Sequence, residues 1–88
     1  RVAMTVGATE PQAGWTTAAR ATGAQRGRLL FDGARLAGAS FVDVPADPGA
    51  LGWMIRQGVP VREHAELLLA RPVEAARWLA ARSQREVA

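Results

Sequence analysis

Between residues 47 and 58 the sequence "DPGALGWMIRQG" marks both ends of a helix, and this segment divides the chain. The Asp47 side chain can accept from the free N–H groups of a first turn. Pro48 suits the first helical position, where its missing N–H would have had no partner. Gly58 can take the left-handed conformation that stops a helix. Inside the bracket, Leu51, Met54 and Ile55 recur at helical spacing. A short helix is therefore expected over residues 48 to 57.

The text before that bracket reads differently from the text after it. "RVAMTVG" alternates weakly and ends in glycine, which suits a short strand or an ordered tail. "ATEPQAGWTTAARATGAQRG" opens with the turn-like Glu10-Pro11 and then turns Ala- and Thr-rich. It reads as a helix over Trp15 to Gln25, at a cost in propensity from Thr16, Thr17 and Thr22. "RLLFDGARL" holds Asp32-Gly33, a two-residue turn signal, and "ASFVDVP" alternates Phe41 and Asp43 with Val42 and Val44, so a hairpin or two neighbouring strands belong here. The expected fold class is α+β: two or three short N-terminal strands and a helical C-terminal half.

Eighty-eight residues support one core, because a chain of this length buries only about 60 to 65% of its unfolded surface. Residues 1–88 are thus expected to form a single domain, with residues 1–27 more loosely ordered. Hydrophobic residues make up 49% and charged residues 22%, the balance of a folded domain and not of a disordered tail. All the basic residues are arginine, as expected of a GC-rich bacterial genome, and the net charge of +3 is compatible with nucleic acid without demanding it. Lack of cysteine excludes disulfides and thiolate chemistry, and the lone His64 argues against a histidine metal site. No apolar run approaches the roughly 18 residues of a membrane span, so a cytoplasmic chain without a membrane partner is expected.

From Val61 two readings stay open. As a helix, Val61, Ala65, Leu68 and Leu69 form an apolar stripe with Arg62 and Glu66 paired across one turn. As a strand, "ELLLA" is short and apolar enough to be buried in a hairpin, and periodicity cannot separate the two. Pro72 then ends this element and opens a helix over residues 72 to 84, with Arg82 and Glu86 spaced for an ion pair.

The stretch "WMIRQGVP", followed by "EAARWLAAR", resembles the small excisionase and MerR-type winged helix-turn-helix proteins. The likeness covers residues 49–82 and rests on Ile55, Arg56, Gln57, Gly58 and Pro60, then on Leu67 to Leu69 and Trp78-Leu79. It implies a recognition helix, a wing over residues 66 to 70 and a closing helix. Arg56, Gln57 and Arg62 would then contact bases or phosphates, with Arg71 and Arg82 as positioning charges. Glu63, His64 and Glu66 depart from the basic, glycine-containing wing of those families. A second, local resemblance joins "TEPQAG", Thr9 to Gly14, to the tract that lies beside the flavin in acyl-CoA dehydrogenases. Trp15 and Thr16 depart from that pattern, and the chain has no matching catalytic carboxylate, so neither a cofactor nor a metal is expected.

Glu63, His64 and Glu66 invite an acid–base role, but such work needs a pocket, and on a short helix or hairpin the group reads as a solvated face. Trp15, Trp53 and Trp78 could stack on bases or on a partner, and core anchoring is the expectation for at least two of them. Two functions follow as expectations. One is a small bacterial regulator that binds DNA through the winged region. The other is a non-catalytic protein-interaction module, an antitoxin-like or accessory subunit, that buries Leu67, Leu68 and Trp78 against a protein partner or in a homodimer. Neither is an enzyme.

Overall fold

Two glycine-first turns build the sheet. The computed structural model describes residues 2–87, and in it β2 (Thr16–Thr22) turns at Gly23-Ala24 into β3 (Gln25–Asp32), which turns at Gly33-Ala34 into β4 (Arg35–Val42). Gly23 and Gly33 sit at φ +58 and +62, the left-handed region in which a glycine first in a two-residue loop matches the twist of its flanking strands. The second turn lies one residue later than the Asp32-Gly33 signal implies, because Asp32 stays in β3 paired with Arg35.

The segment read as a helix over Trp15 to Gln25 is instead β2, its hairpin turn and the start of β3. Three β-branched threonines favour a strand, and the register against β3, from Thr16 opposite Phe31 to Thr22 opposite Gln25, supplies backbone partners that a propensity scale does not see. The "RVAMTVG" strand does form, as β1 (Ala3–Gly7), and pairs antiparallel with β4. The sheet order is therefore β1-β4-β3-β2, four strands instead of two or three, connected as a Greek key read in reverse.

β1 and β2 occupy opposite edges, so residues 8–15 must travel the width of the sheet. They cross its outer face, the one turned away from the helices. The Ala8 N–H donates to the Ala37 carbonyl at 3.0 Å, and the Arg28 guanidinium donates to the Thr9 carbonyl. Ala37 is the extra residue of a bulge: Leu30 pairs with Gly38 and Phe31 with Leu36, which leaves Ala37 unopposed and its carbonyl free for Ala8. Gly38 is required directly beneath, since a Cβ there would strike the Ala8 carbonyl oxygen. At the other end, the Asp43 side chain accepts from the Val2 N–H at 3.0 Å and its N–H donates to the Val2 carbonyl at 2.7 Å, tying β1 to the end of β4.

Helices cover the inner face. α1 (Pro48–Gln57) begins and ends where its text predicts: the Asp47 side chain accepts from the Ala50 N–H, Pro48 opens the helix, and Gly58 closes it at φ +64. Residues 61 to 70 resolve as helix. A 3-10 turn at Arg62–His64 runs into α2 (Ala65–Ala70), and α3 (Pro72–Val87) follows after Arg71. The wing expected over residues 66 to 70 is therefore not formed. Its apolar run has a better place in the helical layer, where Leu68 and Leu69 pack on the sheet at 0% and 8% exposure.

The core lies between the layers: Leu29, Phe31, Leu36, Ala39 and Phe41 from the sheet meet Leu51, Met54, Leu68, Ala76 and Leu79 from the helices. Each large side chain buried here contributes on the order of 1.5 to 3 kcal/mol relative to exposure. Gly27 permits this closeness, because a Cβ at that position would sit 3.0 Å from the Phe41 ring and 3.1 Å from Leu69. Leu30 alternates to the outer face and is still only 1% exposed, in register with Gly38 beside the crossing segment. Among the described residues no helix is long and apolar enough to cross a membrane.

Candidate interaction surface

The five residues expected to meet DNA are carried by different helical elements. Arg56 and Gln57 end α1 and line a shallow depression with Asp32 and Arg35 at the β3–β4 turn. Arg62 opens the 3-10 turn, its backbone N–H donating to the Ala34 carbonyl at 3.2 Å. Arg71 caps α2 and lies 3.8 Å from the Glu74 carboxylate. Arg82 stands about 16 Å further along the helix axis, at 1.5 Å per residue. Its guanidinium lies over the Trp78 ring, 5.0 Å from the centroid, with Nε 3.6 Å from Glu86. The wing that the winged helix-turn-helix resemblance implies between them is α2 instead.

The expected partner-binding residues divide too. Leu67 and Trp78 are 40% and 47% exposed, whereas Leu68 is fully buried and cannot meet a partner. On a helix, neighbouring leucines point to different sides, and the stripe that faces the sheet takes Leu68. Trp78 is flanked by Arg82 and by the His64 ring, which meets it edge-on at 88° with centroids 5.7 Å apart. His64 in turn lies 3.5 Å from the Glu63 carboxylate. This aromatic and cationic stack joins the 3-10 turn to α3, so Trp78 works as a partly exposed brace.

The basic feature that the sequence reading passed over lies on the β2–β3 hairpin. Arg20 is in register with Gly27, Arg26 with Ala21 and Arg28 with Ala19, which puts Arg26 and Arg28 together on the outer face and Arg20 on the inner face of the same two strands. None of the three is in an ion pair among the described residues. Arg26 donates to the Gly23 and Gln25 carbonyls and Arg28 to Thr9. Between them Ala19, Ala21, Ser40 and Val42 floor a shallow trough on the outer face. Arg26 and Arg28 share a face because they are two residues apart on a strand, a signal that appears only once residues 16 to 32 are assigned to strands.

β2 is also an open edge. All of its residues except Ala18 are exposed, and it contains no proline, no acidic residue and no bulge. Residues flanking a two-residue hairpin turn exchange both backbone hydrogen bonds, and the pattern then alternates. Thr22, Arg20, Ala18 and Thr16 thus bond β3, while the N–H and C=O groups of Thr17, Ala19 and Ala21 point outward. No family model, curated protein or solved structure matches the chain.

Asp47 and Arg77 serve structure. Asp47 accepts from Ala50 and, at 2.7 Å, from Arg77 Nε of α3; the Arg77 hydrogen bond first, and the Ala50 N–H second, hold its carboxyl below the ordinary range. Among the described residues no three His, Cys, Asp or Glu side chains gather as a metal site requires.

Proposed function

We propose that the chain is a non-catalytic, cytoplasmic protein-interaction module whose binding element is the sheet and not the helical layer. The observation that carries this reading is β2, a seven-residue edge strand with exposed small side chains and outward backbone groups at Thr17, Ala19 and Ala21. Edge strands are commonly blunted by proline, a charge pointing inward, a bulge or a covering segment. β2 has one arginine and none of the other devices. A strand from another polypeptide would satisfy its free N–H and C=O groups, and the alternating pockets would supply selectivity.

A second reading, the DNA-binding regulator, draws support from the unpaired Arg20, Arg26 and Arg28, which could meet phosphates in place of the helix-borne arginines. The two readings differ in what happens to the backbone. Titrating isotopically labelled protein with a set of short extended peptides and with duplex DNA, and following amide shifts and exchange, decides between them. Peptide-induced protection of Thr17, Ala19 and Ala21 supports strand pairing. Saturable DNA binding at moderate salt, with no peptide acting on β2, would replace the module by the regulator.

A further inference from the structure

Resting on that reading, we infer that the segment paired to β2 is an extended stretch of acidic sequence from a partner protein. The argument is charge complementarity around a defined backbone edge. An incoming strand lies about 4.8 Å from β2 and about 10 Å from β3. On the outer face its side chains approach Thr17, Ala19 and Ala21, and behind the two alanines stand Arg28 and Arg26, their register partners. Alanine leaves the space above β2 open, so these guanidinium groups can reach over it towards a carboxylate on the new strand. On the inner face Arg20 would be its direct neighbour. β2 and β3 contain no acid before Asp32 at the far end, so nothing on the hairpin repels such a segment.

Other occupants fit less well. In a second copy paired through β2 about Ala19, Arg20 would lie opposite Ala18 and diagonal to its symmetry mate, and both copies would add three uncompensated arginines to one junction. A nucleic acid would use the charges but leave the amide edge unpaired. No aromatic side chain of β2, or of the outer faces of β3 and β4, offers a base a stacking surface.

The test uses the full chain and four probes: a short peptide alternating valine and glutamate, its glutamine counterpart, the glutamate peptide N-methylated along one backbone edge, and duplex DNA. The glutamate peptide is expected to bind at the β2 amides at least about tenfold more tightly than either altered peptide or the DNA. Arg20→Gln and Arg26→Gln should each weaken it by a few-fold, and added salt should weaken it further. Equal binding of the glutamate and glutamine peptides at β2 would overturn the acidic preference and leave strand pairing intact. Undiminished binding of the N-methylated peptide, or tighter binding of DNA, would overturn strand pairing itself. Absence of binding by all the peptides at millimolar concentration would overturn both.

Discussion

Replacing Asp47 with alanine removes two interactions at once, and their magnitudes follow from the geometry. The Oδ1 atom of Asp47 accepts from the Ala50 N–H at 3.0 Å as the cap of α1, and Oδ2 accepts from Arg77 Nε at 2.7 Å, joining α1 to α3. Loss of a cap of this kind costs about 1 kcal/mol. The Arg77 side chain is 68% exposed, so solvent screens the ion pair and its loss adds only about 0.2 to 1 kcal/mol. Asp47→Ala should therefore destabilise the fold by about 1.5 kcal/mol at neutral pH. At about 4 to 8 °C per kcal/mol for a domain this small, the midpoint falls by about 6 to 12 °C.

Asp47→Asn keeps an acceptor for Ala50 but loses both the charge and the hydrogen bond from Arg77, so it should cost only the ion-pair share, about 0.2 to 1 kcal/mol. The pH dependence has a definite sign. Because the folded carboxyl titrates below its ordinary value of 3.8, the charge-dependent part of its contribution is complete above that value and is lost as pH falls through the lower folded one. Urea unfolding followed by circular dichroism, for wild type and both variants at neutral and acid pH, is the assay. The gap between wild type and Asp47→Ala should narrow only below about pH 4. An Asp47→Ala cost under about 0.3 kcal/mol, or a gap that does not narrow at all at acid pH, would refute this account of the α1 terminus.

Five further substitutions probe the packing. Gly38→Ala places a Cβ against the Ala8 carbonyl and should cost about 1 to 3 kcal/mol, with amide exchange accelerating first in β1 and residues 8–15. Leu68→Ala should cost about 2 to 5 kcal/mol, whereas Leu67→Ala on the same helix should stay within about 0.5 kcal/mol, as denaturant midpoints will show. Trp78→Ala loses the Arg82 cation–π contact, worth about 0.5 to 1 kcal/mol at an exposed site, in addition to the half of the ring that is buried. Changes in tryptophan fluorescence on Arg82→Gln, with stability nearly kept, would confirm that contact.

α1 was legible because its signals are local: Asp47, Pro48 and Gly58 each act on backbone groups within one turn, so no distant partner is needed to read them. The same holds for Pro72 as the start of α3 and for a hairpin near Gly33, displaced by one residue. The candidate surface was not legible. Arg20, Arg26 and Arg28 are scattered singly along the text, and only the β2–β3 register brings them together. Arg56, Gln57, Arg62, Arg71 and Arg82 are carried by α1, the 3-10 turn, the end of α2 and α3.

The sequence by itself determined both ends of α1 and the start of α3, where Asp47, Pro48, Gly58 and Pro72 mark the boundary, and with the strand signals on either side of Gly33 the α+β class follows. Tertiary structure alone decided whether an ambiguous stretch is helix or strand. Thr16 to Thr22 has weak intrinsic preference, and the hydrogen bonds of β3 make it a strand; "ELLLA" fits either period, and the space over Phe41 and Gly27 makes it a helix. The physical reason is range. Capping and turn energies are set within four residues of sequence, whereas strand pairing and burial depend on partners brought from elsewhere in the chain, which no local pattern records.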